Sequence, residues 1–275
     1  MTDNLQALFR AMAASLPGGE IEESQHSSRH LTFPSNPMFK GVWNTRLAAD
    51  EVDAAIDANI AWFAGRGAQF FFWWTGPGTA PPDLGERLTA RCFLSMEQTS
   101  VALAQGMAQT EDGAPVMAAD LRQVSDAPLQ RTPPGFVIEE VANLSSLQAW
   151  KDVVVATYQF PEWAGQAWVD ATATIGFGRR PWKLFLGRLD GEPVATNMLF
   201  TGGGVASILA VATLPKAQRR GIGAAISLKP LLDARAAGYR FATLWSTEEG
   251  LAVYRRIGFH DTGARLNRYL WRNQS

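Results

Sequence analysis

The chain has 275 residues, of which 47% are hydrophobic, and a formal charge of −1. It is long enough for two domains, and its charge gives no long-range attraction to nucleic acid or anionic lipid. Its single cysteine, Cys92, excludes a disulfide framework and a thiolate metal cluster, and three scattered histidines predict no metal site. No apolar run reaches the length of a membrane span or a signal peptide core, so we expect a cytoplasmic protein.

The first half contains a helix, a strand and a second helix in order. Apolar side chains recur at helical spacing through residues 52–63, and glycines at 65 and 67 end that helix. The run QFFFWW at 69–74 predicts a buried strand. A second short helix is expected within residues 83–93.

A segment at 125–135, SDAPLQRTPPG, separates the two halves. It is rich in proline and polar residues and shows no periodicity, which is typical of a stiff linker. We therefore predict two domains, residues 1–130 and residues 131–275.

The second half begins with two predicted hairpins. Strands at 182–189 and 193–200 flank an Asp-Gly turn, and glycines at 202–204 lead into a strand at 205–213. A helix that ends at Gly238, a buried strand at 239–246 and a short helix at 249–257 follow.

The most informative stretch is VASILAVATLPKAQRRGIGAA at 205–225. A β-branched strand ends at Leu214-Pro215, a basic turn follows, and Gly221-Ile222-Gly223 opens a helix. This arrangement gathers unpaired backbone N–H groups at the positive end of a helix dipole. The expected ligand is a phosphate or a diphosphate.

The spacing of the glycines and their neighbours distinguishes between the known types of nucleotide-binding loop. The lysine and Ser/Thr of a P-loop are absent, and Ile226 occupies the third glycine position of a dinucleotide fingerprint. The remaining pattern, Gln/Arg-x-x-Gly-x-Gly/Ala, fits residues 218–223. This hexapeptide resembles the coenzyme A pyrophosphate loop of the GNAT acetyltransferase superfamily. The alternative is a basic turn that only caps a core strand and helix.

The order of elements from Phe136 onward also resembles that family. The resemblance implies an α/β (α+β) fold of two GNAT-like domains, each with a central mixed, mostly antiparallel twisted sheet flanked by helices. It implies acetyl-CoA as the acyl donor. It assigns coenzyme A binding to Val211, Ala212, Thr213, Gln218, Arg219, Arg220, Gly221, Ile222, Gly223, Ala224 and Thr247.

Tyr254, just before Gly258-Phe259, stands where the family carries the tyrosine that protonates the leaving thiolate. A phenol is a suitable donor because it keeps its proton at neutral pH. The alternative is that Tyr254 only packs in the core. No general base is evident, since Ala242 occupies the position of the glutamate found in many relatives. Glu248 and Glu249 lie close in sequence to the expected cleft, but a solvated helix N-terminus explains them equally well. We expect water to relay the proton to a distant carboxylate.

The helix–strand–helix order of the first half matches that of the second, which suggests a duplicated fold; two coincident ordinary patterns are the alternative. The segment at 73–88 resembles the first half of bacterial tandem GNAT proteins. Leu88 aligns with Tyr254, and residues 50–52 align with Gly221–Gly223. Carboxylates at that helix start would repel a diphosphate, so we predict that the first half does not bind coenzyme A.

The sequence therefore predicts an acetyl-CoA-dependent N-acetyltransferase that moves acetyl directly to a primary amine of a small molecule. The alternative is an acyl-CoA-binding regulatory or interaction module with weakened catalysis. Phe160, Trp163 and Trp168 lie in the region that forms the substrate lid of the family. Their aromatic character suggests an apolar or ring-bearing acceptor, although core filling explains them equally well.

Overall fold

A computed structural model describes residues 1–33, 37–96 and 113–273. The described helices are α1 Thr2–Ser15, α2 Val52–Ala64, α3 Leu84–Ala90, α4 Leu144–Tyr158, α5 Glu162–Ile175, α6 Ile222–Ala236 and α7 Glu248–Arg256. The described strands are β1 Glu20–Glu23, β2 Ser28–Leu31, β3 Lys40–Trp43, β4 Phe70–Thr75, β5 Leu94–Ser95, β6 Ala114–Asp120, β7 Phe136–Glu140, β8 Trp182–Leu189, β9 Glu192–Gly202, β10 Val205–Thr213, β11 Phe241–Trp245 and β12 His260–Arg272.

All described strands belong to one 12-stranded sheet. Its order is β1-β2-β3-β4-β12-β6-β11-β10-β9-β8-β7, and β5 pairs with β12. The pairs β3–β4 and β10–β11 are parallel, and the other pairs of named strands are antiparallel. The prediction of a mixed, mostly antiparallel sheet flanked by helices is confirmed. The structure differs in one respect, because the two halves share a continuous sheet.

The sheet is continuous because the halves exchange strands. Strand β6 of the first half lies between β11 and β12, with Phe241 opposite Asp120 and His260 opposite Ala118. The last part of β12 lies in turn between β4 and β5 of the first half. Each half therefore completes its sheet with a strand from the other, which no local sequence pattern indicates. The division into residues 1–130 and 131–275 stays a proposal.

The helix–strand–helix order predicted in both halves is present. Helix α2, strand β4 and helix α3 match α6, β11 and α7 in order, and each strand lies parallel to the strand that precedes its first helix. The observed strand β11 is shorter than the predicted 239–246. The linker is not a free spacer, since it forms a 3-10 turn at Ala127–Arg131 and Leu129 packs against the core of the second half.

Helix α6 contains Pro230, which has no N–H to donate to the carbonyl of Ile226 four residues earlier. The buried side chain of Asn197, on β9, supplies the missing donor: its Nδ2 lies 3.0 Å from the oxygen of Ile226. A polar residue in the core is thus explained by a proline in a neighbouring helix. This contact fixes α6, and with it the glycine turn, against the sheet.

Replacing Asn197 with Leu is expected to lower the free energy of unfolding by about 1–3 kcal/mol, because the Ile226 carbonyl is left buried without a donor. Pro230→Ala restores a main-chain N–H at that point. The double variant should therefore recover much of the loss, as measured by urea unfolding. If Asn197→Leu lowered the free energy of unfolding by the same amount in the wild type and in the Pro230→Ala variant, this account would be wrong.

Candidate active site

Strands β10 and β11 separate at the centre of the sheet. Their parallel pairing in the described chain covers only Ala206 with Ala242 and Ser207 with Thr243. On the other side of β10, the register with β9 shifts between Leu209 and Ala212. Ala210 adopts a left-handed backbone with a φ of 48° at this bulge. The end of β10 therefore turns away from β11, and its main chain faces a gap.

A cavity of about 1010 Å³ occupies this gap. It gathers most of the site residues predicted from the sequence: Val211, Ala212, Thr213, Gln218, Arg219, Gly221, Gly223, Ala224, Thr247 and Tyr254. Two predicted residues do not line it. Arg220 is exposed at the surface, and the side chain of Ile222 is buried in the core beneath α6. Their roles in binding stay predictions, as do those of the lining residues.

The main-chain N–H groups of the turn before α6 have no acceptor among the described residues of the protein. Arg219 has a φ of 61°, and Gly221, the N-cap of α6, has a φ of 81° and no side-chain cap. In the described part of the chain, no protein atom accepts a hydrogen bond from the amides of residues 219–224. Such a concave set of amides at a helix start suits a diphosphate.

The glycines at 221 and 223 are under different steric constraints from the surrounding protein. A Cβ on Gly221 would lie 2.9 Å from the carbonyl oxygen of Arg131, in a backbone conformation that already favours glycine. A Cβ on Gly223 would make only an ordinary contact, 3.6 Å from Oγ1 of Thr213. The packing of the protein itself therefore does not require glycine at 223.

Gln218 anchors the turn to the strand that precedes it. Its Nε2 donates to the main-chain oxygen of Thr213 over 3.1 Å. The glutamine side chain therefore points back to the end of β10, and the amides of the turn remain available to a ligand. Gln218 thus has a structural role in addition to its place in the cavity wall.

Tyr254 lies on α7 with its ring 6.1 Å from that of Phe259. Burial, and secondarily the nearby Tyr158, raise the pKa of its phenol, so the phenol remains protonated at neutral pH. Thr247 has a second, structural role, because its side chain accepts a hydrogen bond from the amide of Gly250 at the start of α7.

Tyr158, the last residue of α4, is a functional candidate that sequence reasoning missed. Its hydroxyl donates to the main-chain oxygen of Val211 over 2.6 Å, and its ring stacks on Phe160 at 5.3 Å. Burial raises the pKa of the Tyr158 phenol to about 12, against an opposing effect of Arg268. No motif marks Tyr158, since it meets β10 only in the folded chain.

We use the name acceptor end for the part of the cavity that is walled mainly by aromatic side chains. It is lined by Met38, Trp150, Phe160, Trp168, Trp245 and Arg268. Trp168 both lines the cavity and packs on Phe39 at 4.8 Å, so it belongs to the cavity wall and to the core; a role as substrate lid stays a prediction. Trp163 is 47% exposed and stacks on Phe70 outside the cavity.

Among the described lining residues, Glu249 is the only carboxylate. Glu248 does not line the cavity, and both glutamates are solvent-exposed. Strand β11 has an alanine, Ala242, at the position where a carboxylate was sought. Ala242 is buried and paired with Ala206, so it provides no general base.

The equivalent cleft of the first half is closed by its own chain. Ala80 donates its amide to the carbonyl of Thr45 over 3.0 Å, and Leu47 donates back to Ala80 over 3.1 Å. The main chain following β3, which would correspond to the end of β10, is therefore already paired. This supports the prediction that the first half does not bind coenzyme A.

The helix start in the first half also differs from that of α6. Its N-cap is Glu51 rather than glycine, and Asp53 in the first turn of α2 forms ion pairs with Arg87 and Arg91. Leu88, aligned with Tyr254, is fully buried in the core. The first turn of α2 therefore carries a carboxylate of the protein itself, and that carboxylate is paired with two arginines rather than capping the helix.

No described helix combines the length and apolar character needed to cross a bilayer. Within the same residues, no group of three or more His, Cys, Asp or Glu side chains is placed to hold a metal ion. Cys92 is a free, exposed thiol in the first half and does not line the cavity.

Comparison with known proteins agrees with this geometry. Residues 148–259 match the model of the acetyltransferase (GNAT) family. A GCN5-related N-acetyltransferase from Kribbella flavida is 17% identical with a TM-score of 0.66, over 98% of this chain and 94% of that one. A similar protein from Sphaerobacter thermophilus is 14% identical with a TM-score of 0.58, over 98% and 91% of the two chains.

A tandem GNAT protein from the clavulanic acid biosynthesis pathway is 13% identical with a TM-score of 0.58, over 99% of this chain and 94% of that one. No curated protein sequence gives a significant match. At these identities the solved structures establish the fold, whereas the family match rests on the segment that carries the splayed strand, the glycine turn and Tyr254. Residues 148–259 therefore form a domain that matches the acetyltransferase (GNAT) family model, and almost the whole chain has the fold of GNAT proteins.

Proposed function

We propose that the protein is an acetyl-CoA-dependent N-acetyltransferase that transfers acetyl directly to a primary amine of a small molecule. One observation carries this proposal. A single cavity joins the amides before α6, the splayed end of β10 and the ring of Tyr254. These are the three elements that direct acyl transfer from coenzyme A requires.

The chain's own groups suit each part of the donor. The amides of residues 219–224 would hold the diphosphate, with Arg219 adding charge. The main chain of 211–213, which is not paired with β11, would hold the pantetheine arm, and the Val211 carbonyl retains a second lone pair beyond its bond to Tyr158. A preorganised amide that polarises the acyl oxygen typically contributes about 3 kcal/mol to lowering the barrier.

When bound, acetyl-CoA supplies a thioester whose carbonyl carbon is open to attack by an amine. Tyr254 holds the proton that the departing sulfur needs. Glu249 is the candidate end point of a water relay that removes the ammonium proton of the acceptor. Cys92 lies outside the cavity, so we propose transfer without an acyl-cysteine intermediate.

The test is release of free thiol from acetyl-CoA in the presence of a panel of primary amines, with mass spectrometry of the acetylated product. Isothermal titration of acetyl-CoA measures binding separately. Turnover with an acetylated amine is the expected result. Binding without turnover across the panel would favour the weakened acyl-CoA-binding module, and no binding at all would contradict both functions.

A further inference from the structure

We infer that the acceptor is an amine with an apolar, ring-sized body and an anionic group such as a carboxylate, and that Arg268 selects it. This inference rests on the proposed function and specifies the substrate class of the same cavity. It also gives the first half of the chain a role, because that half helps to build the acceptor end.

The walls of the acceptor end favour an apolar body. The rings of Trp150 and Trp168 meet edge to face with centroids 6.4 Å apart. Phe160 closes one side, stacked on Tyr158, and Met38 lines the cavity from the first half. Aromatic rings and a thioether offer large contact surfaces and few hydrogen-bonding groups.

Arg268 brings a positive charge to this apolar region. It lies on β12, on the same face as Leu266 and Leu270, which belong to the central core. Its guanidinium lies 5.9 Å from the ring centroid of Trp74, and Trp74 meets Trp245 of the cavity wall at 5.8 Å. The charge also lowers the pKa of the Tyr158 phenol, so Arg268 lies near the tyrosine whose hydroxyl binds the Val211 carbonyl.

A guanidinium matches a carboxylate through two parallel N–H donors. Its five donors allow it to bind a ligand while it keeps its contacts with the protein. In a cavity lined by aromatic rings the low local dielectric strengthens that pairing. Arg268 is therefore a specificity-determining residue in this proposal.

The charges of the cavity argue against a polycationic acceptor. The acceptor end, as far as the described chain goes, contains Arg268 and no carboxylate. Glu249 lies on α7 and is solvent-exposed. A polyamine or an aminoglycoside would place several ammonium groups beside the guanidinium of Arg268, and like charges repel.

Because the two halves exchange strands, both contribute residues to the wall of the acceptor end. Arg268 reaches its position because the end of β12 pairs with β4 of the first half, with Arg268 directly opposite Trp74. Met38 and Trp74 belong to the first half, and Trp245 belongs to the second. The half that lacks a glycine turn thus contributes to acceptor recognition.

The test compares three amines that share one ring: phenylalanine, phenylalanine amide and 2-phenylethylamine, with spermidine and kanamycin as polycations. Wild-type kcat/KM should be at least tenfold higher for the acid than for the other amines. Arg268→Gln should lower kcat/KM for the acid by about 10–100-fold, the usual range for losing a hydrogen bond to a charged group, and change it little for the amide. Arg268→Lys should keep part of the preference.

Binding gives a readout that does not need turnover. Tryptophan fluorescence with coenzyme A present should report tighter binding of N-acetylphenylalanine than of N-acetyl-2-phenylethylamine. Arg268→Gln should remove that difference while the Kd for acetyl-CoA stays within error of wild type. If Arg268→Gln does not fold, the Arg268→Lys variant carries the same comparison.

An equal loss for acid and amide in the Arg268 variants would overturn the inference, as would a wild-type preference for polycations or no binding of the acid series. Turnover of phenylethylamine alone would overturn the anionic acceptor and leave the acetyltransferase intact. Selective binding of the acid product without turnover of any amine would retain the acceptor class and contradict the proposed activity.

Discussion

Gly223→Asp is expected to weaken acetyl-CoA binding on the order of 100-fold or more, without loss of stability. The added carboxylate would stand over the amides of residues 219–224, where the diphosphate is proposed to bind, and like charges repel. The same carboxylate lies in the first turn of α6, where it favours the helix by about 0.3–1 kcal/mol. Ligand binding and fold stability therefore change in opposite directions.

Isothermal titration with acetyl-CoA and thermal unfolding measure these two effects. Gly223→Ala is the matched control: its Cβ meets only Oγ1 of Thr213 at an ordinary 3.6 Å, so it should retain most binding. Gly221→Ala differs, because its Cβ would meet the carbonyl of Arg131 at 2.9 Å and should lower stability. Unchanged binding by Gly223→Asp would remove the glycine turn from the proposed site.

Tyr254→Phe is expected to lower kcat by about 10²–10⁴-fold, the usual contribution of a positioned proton donor. The Kd for acetyl-CoA should change little, because the ring and its packing on Phe259 remain. Steady-state kinetics with the best acceptor, together with titration of acetyl-CoA, measure both quantities.

Tyr158→Phe is the matched control, since it also removes one phenol from the same cavity. Tyr158 already donates its proton to the Val211 carbonyl, so its loss should alter the position of β10 and reduce kcat less than Tyr254→Phe does. A larger fall in kcat for Tyr158→Phe than for Tyr254→Phe would indicate that Tyr158 is the proton donor. Near-wild-type kcat in Tyr254→Phe would leave Tyr254 with the packing role alone.

The pH dependence provides an independent check on Tyr254. A raised phenol pKa keeps the group protonated, and therefore able to donate, to higher pH than an ordinary tyrosine. The wild-type rate should rise with pH as the acceptor ammonium loses its proton, without a fall caused by tyrosine ionisation below about pH 10. A descending limb below that pH, absent in Tyr254→Phe, would contradict the raised pKa.

The local sequence was enough to predict those turns and helix ends whose geometry depends only on residues that are adjacent in the chain. The hairpin at Asp190-Gly191 follows from two residues that adopt positive φ, 51° and 85° in the structure. The glycine turn before α6, the helix itself and the position of Tyr254 on a short helix were predictable for the same reason. Turn and cap chemistry acts over a few residues, so the spacing along the chain specifies it.

The tertiary structure alone decided the acceptor end, the strand exchange and the closure of the first-half cleft. Tyr158, Met38 and Arg268 meet in one cavity although they lie far apart in the chain. Ala80 pairs with Thr45, and β6 pairs with β11, through main-chain groups that every residue carries. Such contacts depend on which strands become neighbours during packing, and backbone hydrogen bonds between distant segments leave no signature in local side-chain periodicity.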